Sequence, residues 1–408
     1  MKYSIFFVGI LFFSFFSCEK SAINSLQENN DLKLEEMNLS MEPSDQFFKE
    51  LSSIYNGKDF VHSPLSIQLA LYMALNGADG VTKKEIKNLL GESGNADLVI
   101  NQKVKSIQAY FNELLDKGTI DIANAGFYDK NRVNLNADFS TILNDYFGAS
   151  IGELDFKSEE AVAEINNWAS DNTNGKIEKI LESISDEEIL FLLNAIYLNA
   201  DWDYPFDPEA TRADKFYVSD QKESEVDFMF KDGGFEYLNN DMLSLVRMPL
   251  SDTSLYAWFI MPKNVSLQEW NKEFRYANLQ SYSKDLNSGR LMVFLPKYKT
   301  KMHQNLNSIL VEMGMPTAFD PSKSDFTNLG EVNTGQNIYL SRVIHDAFLQ
   351  VDEKGVEGAA VTSVGFGVTS LPPVVKFDRP FAYFIVDAQT DIPLFAGQFY
   401  NNPSTDEW

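Results

Sequence analysis

The sequence is short of the groups from which most enzymes are built. It has one cysteine, Cys18, and three histidines, His62, His303 and His345, in 408 residues. Three scattered imidazoles and one thiol provide no metal-ligand spacing, and no Gly-x-Ser-x-Gly elbow is there to seat a nucleophile. A histidine-dependent hydrolase is therefore disfavoured, and neither metal nor cofactor is expected. Gly365-Phe-Gly367 lacks the third glycine and the following helix of a phosphate loop, so it reads as loop flexibility. Cations are scarce too: 34 Lys and Arg against 59 Asp and Glu leave a formal charge of -25. Nucleic-acid binding draws on clustered cations, which excludes it as an expected function. Linkers and repeats are also missing after about Pro43, which favours one domain over the two or three that length alone suggests. Against these absences, aromatics at 13% and apolar residues at 44% are ample for a sizeable core.

Residues 1–18 read as an export signal outside the folded domain. Lys2 precedes the apolar run Ile5 to Phe16, too short for a stable span, and Ser17-Cys18 follows. A single cysteine at that position resembles the lipidated cysteine of bacterial lipoproteins, although Phe15 and Phe16 are bulkier than the usual residues before it; the alternative is simple cleavage beside a chance cysteine. Residues 19–43 are polar and acidic, as a tether should be. This implies the cell envelope of a bacterium, as an outer-membrane lipoprotein or otherwise a periplasmic or extracellular protein. Contact with a membrane is expected through the lipid alone. The mature domain has no disulfide.

From Ser44 to Asn402 the pattern is α+β, helices first and strands later. Ser44 is expected to cap a helix through Tyr55, Pro64 to open one to about Asn76, and Thr82 with Glu85 to form a capping box; a further helix runs about Asp97 to Lys117. Strands are expected at Ile120–Tyr128, Ile189–Asn199, Leu243–Met248, Leu255–Met261, Leu291–Lys297, Asp346–Val351, Val374–Val386 and Leu394–Tyr400. Several are apolar without alternation, which suits strands covered on both faces.

The most informative stretch begins at His345. Ala347, Leu349 and Val351 alternate as a strand requires, Asp352 to Gly355 supplies a charged turn, and Val356 to Val364 then runs without Pro, Lys or Arg. Glu353, Gly355, Val356, Glu357, Gly358, Ala359, Ala360 and Thr362 resemble the reactive-centre hinge of the serpins, a family of suicide inhibitors of proteases. Val356 stands where Thr or Ser is usual and Gly358 where Ala is usual; both are uncharged and small enough to bury. Downstream, Ser370 to Phe381 resembles the strand after the serpin loop, with Ala382 in place of a larger apolar residue. Phe60 to Ser66, Asn194 to Trp202 with Phe206, Thr211 and Phe216, Ile165 to Ile177, and Leu295-Pro296-Lys297 match further family landmarks in order.

The resemblance implies a serpin fold over residues 44–402, with three β-sheets, eight to nine helices and an exposed reactive-centre loop at about 355–373. It implies that Ser63, Ser66, Asn194 and His345 sit under the centre of the main sheet, where burial without partners would cost ~1–3 kcal/mol each. By itself, His345 at a strand start would more often be a satisfied structural histidine. Lys297 and Glu353 are expected to pair where the hinge enters the sheet, the bland reading being an ordinary surface pair. Trp202 is expected nearby, or simply as core.

Counting along the loop from Glu353, and back from Pro372-Pro373, the family's spacing reaches the same reactive bond, Thr369–Ser370, with Val368 as the alternative. If the cleaved loop inserts as a strand, Val356, Gly358, Ala360, Thr362, Val364, Phe366 and Val368 face inward, all uncharged, while Glu357 faces out. Without Lys or Arg from Val356 to Leu371, a trypsin-like pocket has nothing to bind; Thr369 suits elastase- or subtilisin-like enzymes. The expected partner is a target serine protease in a covalent acyl complex with a monomer, and papain-like cysteine proteases stay open. The rival readings are a serpin fold that no longer inhibits, since Gly358, Gly365 and Gly367 weaken a strand, and a surface glycan-binding lipoprotein.

Overall fold

The computed structural model describes residue 37 and residues 39–116, 120–149, 151–219, 221–251, 253–333, 337–356 and 372–403. Cys18 and the loop residues Glu357 to Leu371, with Thr362 and the Thr369–Ser370 bond among them, lie outside these. Nine α-helices occur among the described residues. Strands form one nine-stranded sheet, one five-stranded sheet and two two-stranded ribbons. The 18-residue strand Lys222–Asn239 runs through the larger sheet, pairing with Arg212–Ser219, Leu243–Pro249 and Asn287–Pro296.

The five-stranded sheet positions the site. In spatial order it contains Tyr298–Asn305, Arg342–Val351, Leu190–Leu198, Ile120–Asp129 and Ile151–Leu154. Its two central strands, Arg342–Val351 and Leu190–Leu198, are parallel, and their junction is called the seam below. Leu190–Leu198 is buried along its whole length because both faces are covered. Leu192, Ile196 and Leu198 enter the main core with the helix Pro64–Gly77, while Phe191, Leu193 and Ala195 pack with Ala161, Ile165 and Ala169 of the helix Glu159–Asp171. Such double coverage explains the unbroken apolar run in the sequence.

Local cap patterns mislead at two helix starts. The helix Glu42–Ile54 begins before Ser44, which instead accepts a bond from Gln68 Nε2 at 2.8 Å inside the core. Thr82 and Glu85 lie in the helix Gly80–Leu89 without closing a capping box; Thr82 Oγ1 takes the Asp325 N–H and Glu85 holds Thr317. Pro64 does open its helix, with Ser63 as the cap, its Oγ accepting the Ser66 N–H at 3.2 Å. The expected strand Val374–Val386 is two strands, Val374–Lys376 and Phe381–Asp387, separated around Pro380.

Candidate functional site

Seam pairing runs from Arg342 opposite Phe191 to Phe348 opposite Tyr197. Beneath its middle, a polar chain crosses an otherwise apolar core. His345 Nε2 accepts the Ser63 N–H at 3.0 Å, so the imidazole proton sits on Nδ1, which donates to Asn194 Oδ1. The Asn194 amide donates to Ser66 Oγ and, at 2.8 Å, to Asn124 Oδ1. Asn124 is opposite Asn194 on Ile120–Asp129, so the chain links three adjacent strands to the start of a helix. His345 is fully buried and lies inside its strand, which begins at Arg342 rather than at Asp346. Burial, with His62 nearby, holds its pKa well below 6.5, as a neutral Nδ1–H tautomer requires. His62 is pushed down to about 3 by its own burial. Asn124 escaped the sequence reading; its signal was an amide within the apolar run Ile122 to Phe127.

Above Phe348, Leu349 to Val351 take ladder partners from Tyr298–Asn305. The chain then turns. Asp352 N–H donates to Gly355 O at 3.0 Å, and Gly355–Val356 forms a two-residue ribbon antiparallel to Ala200–Asp201. Gly355 is required by close approach, since a β-carbon there would lie 2.2 Å from Ala200 O. Val356 is fully buried within the main core. The turn is anchored from three sides. Trp202, itself 1% exposed, donates Nε1–H to Asp352 O at 2.8 Å and its backbone N–H to Lys354 O at 2.9 Å. Phe206 N–H donates to Glu353 O at 2.8 Å. Glu353 accepts from Lys297 Nζ at 2.7 Å and Thr211 Oγ1 at 2.8 Å.

Glu353 is buried, which raises a carboxyl pKa, yet the Lys297 and Thr211 bonds outweigh this and hold it below the ordinary value. Lys297 is correspondingly raised by the same bond. The pair is half at the surface: Glu353 is buried, while the Lys297 side chain stays 44% exposed. Ser63, Ser66, Asn194 and His345 are thus in one network, and Lys297, Trp202, Glu353, Gly355 and Val356 in a second at the top of the same seam. No cluster of three metal-ligating side chains occurs among the described residues.

The sequence matches the family described as Serpin (serine protease inhibitor) over residues 41–402. The chain belongs to the serpin family. This serpin is 30% identical to human Serpin B8 over 363 residues, covering 86% of this chain and 95% of the relative. Among solved structures it resembles the thermophilic serpin tengpin in its native state, with a TM-score of 0.80 and 31% identity, covering 88% of this chain and 92% of tengpin. Human thyroxine-binding globulin superposes with a TM-score of 0.80 at 26% identity, covering 89% and 97%. Serpins are mostly inhibitors of proteases rather than catalysts, and some members of the fold do not inhibit.

Proposed function

We propose that this serpin is a suicide inhibitor of serine proteases with an elastase- or subtilisin-like preference. The observation that carries the reading is the direction of Gly355–Val356: these residues run antiparallel beside Ala200–Asp201, with Val356 buried, along the course an inserted strand would follow. In the reaction, the protease serine attacks the Thr369 carbonyl carbon, the Thr369–Ser370 amide breaks, and Ser370 leaves with a new amino terminus. Thr369 is then esterified to the protease. The freed segment enters the seam, with its uncharged alternate residues facing the core. About a dozen new hydrogen bonds at ~0.5–1.5 kcal/mol each give on the order of 10 kcal/mol to displace and distort the enzyme before water releases it. Glu353 and its anchors supply a fixed pivot for that movement.

The test is incubation of the purified protein with elastase, subtilisin, trypsin and a papain-like enzyme, followed by denaturing gels and sequencing of the released peptide. A denaturation-resistant complex with elastase or subtilisin, and a peptide beginning at Ser370 or Thr369, supports the proposal. A cut loop without any complex favours the non-inhibitory reading. A melting temperature that stays put after loop cleavage would mean that the cut loop does not insert, and would likewise favour the non-inhibitory reading. We also propose export and lipid anchoring through Cys18; incorporation of labelled fatty acid, lost in Cys18→Ser, tests it.

A further inference from the structure

The hinge turn takes its anchoring donors from one short segment, Trp202 to Phe206. Both end residues are buried, and their N–H groups, with the Trp202 indole, engage the carbonyls of Asp352, Glu353 and Lys354. Between them Asp203, Tyr204 and Pro205 belong to no helix or strand, and Asp203 and Tyr204 are exposed. Two anchors joined by an irregular connection hold the hinge only as firmly as that connection is itself held. On one side it is held by the Asp203 N–H, which donates to Pro249 O at 3.1 Å. On the other it is held by Lys231.

Lys231 belongs to the strand Lys222–Asn239, opposite Val293 of Asn287–Pro296. Its stem runs past Gly233, where an added β-carbon would stand 3.5 Å from Lys231 Cε. The ammonium donates to Tyr204 O at 2.6 Å and to Pro205 O at 2.8 Å, and lies 5.5 Å from the centre of the Tyr204 ring. Pro205 has no N–H to give, so its carbonyl is where the backbone can be gripped. Two charge-assisted bonds to successive carbonyls fix the path of the connection. Burial lowers the pKa of this ammonium to about 8, against the pull of Asp203 beside it. The other charged groups nearby are paired or at the surface. Asp232, on the opposite face of the same strand, is paired with Arg290 at 2.6 Å, Glu236 is paired with Arg247, and Asp207 and Glu209 are exposed on the turn that packs against the strand.

We propose that Lys231 is a positioning residue for loop insertion: by gripping Tyr204 and Pro205 it keeps Trp202 and Phe206 set on the hinge carbonyls, so that a cleaved loop turns about a fixed pivot and enters the seam in register. The role in insertion rests on the inhibitor reading above, whereas the grip itself does not. Without the grip the pivot shifts, insertion slows, and water releases more of the acyl-enzyme before the protease is displaced.

Two variants test this. Lys231→Met keeps the stem and removes the donors, and Lys231→Arg keeps both charge and donors. The first readout is hydrogen exchange of the Trp202 and Phe206 amides, whose N–H groups make the hinge bonds. At pH 7 it should quicken several-fold in Lys231→Met and stay near wild type in Lys231→Arg, with the helix Pro64–Gly77 protected alike in all three proteins. Corrected for the intrinsic rate, wild-type protection of the two amides should fall from pH 7 to pH 9 as the ammonium loses its proton, and that of Lys231→Arg should not. The second readout is the ratio of cleaved serpin to denaturation-resistant complex formed with elastase or subtilisin, which should rise several-fold in Lys231→Met and return in Lys231→Arg. Exchange that is unchanged at the two amides, or raised equally throughout the molecule, overturns the grip. Quickened exchange with an unchanged ratio overturns the role in insertion. If the wild type forms no complex, the inhibitor reading fails and takes the role in insertion with it, while the exchange readout still decides the grip.

Discussion

His345 stands opposite Asn194 in register across the seam and donates its Nδ1 proton to that side-chain carbonyl, so the two strands that part in the proposed mechanism are joined by side chains as well as by their ladder. Each partner is buried, and neither can be released without exposing or orphaning the other. The seam is therefore suited to two satisfied states, closed or filled by a new strand, rather than to gradual loosening.

Acid should weaken this arrangement through its imidazoles. His345 and His62 are held neutral by burial, so below ~6.5 the unfolded chain binds more protons than the folded one, and their contribution to stability falls as pH falls. Asp59 and Asp346, pushed up to about 6 by burial, act in the opposite sense from ~4 to 6, which keeps the wild-type profile shallow. Removing one imidazole isolates its share. His345→Gln should be less stable than wild type at pH 8, with a deficit that shrinks by about 1.4 kcal/mol per unit below ~6.5. Denaturant titrations at several pH values check this, and a constant deficit would contradict the neutral assignment.

Glu353→Gln keeps the shape of the hinge anchor but removes the charge that Lys297 and Thr211 serve. A loss of about 1–3 kcal/mol is expected. Because the wild-type carboxyl is held below its ordinary pKa, its contribution is present above about 4.5 and is lost as pH falls through the lower folded value. The difference between the two proteins should therefore be full at pH 7 and vanish in acid, as read from their melting temperatures.

Gly355→Ala should lift the hinge off its ribbon, since the added carbon meets backbone at Ala200 and Asp201. Val356 would lose its burial, worth about 1.5–3 kcal/mol. Trp202 gives a local reporter through its bond to Asp352 O, and its emission should shift to the red. Unchanged emission with unchanged stability would mean that the close approach is relieved elsewhere.

Thr362→Arg tests insertion separately from cleavage. Thr362 is on the inward set of the loop, so insertion would bury an unpaired guanidinium at a cost of several kcal/mol. The variant should still be cut by elastase or subtilisin, yet yield cleaved serpin in place of complex. Glu357→Arg, on the outward face, should still trap. Equal trapping by both variants would sink the proposed alternation.

The main strands and the polar landmarks were legible because their signals are local in sequence: an unbroken apolar run, an amide or imidazole within it, a glycine after a charged turn. The helix starts were less so. Ser44 and Thr82 have the chemistry of caps, but Gln68 and Asp325, remote in sequence, claim their oxygens. Asn124 acquires meaning only once register sets it against Asn194.

The location of the seam has a consequence for how copies of the protein behave together. The outer strands of the five-stranded sheet, Tyr298–Asn305 with its exposed lysines and the short Ile151–Leu154, make poor templates for another chain. Parting the seam would create two long apolar edges in the interior of one molecule. A neighbour's uncut loop is then a competitor for the gap. Crowding and warmth should accordingly favour head-to-tail association of otherwise intact molecules, and a loop peptide added in excess should suppress it by filling the vacancy first.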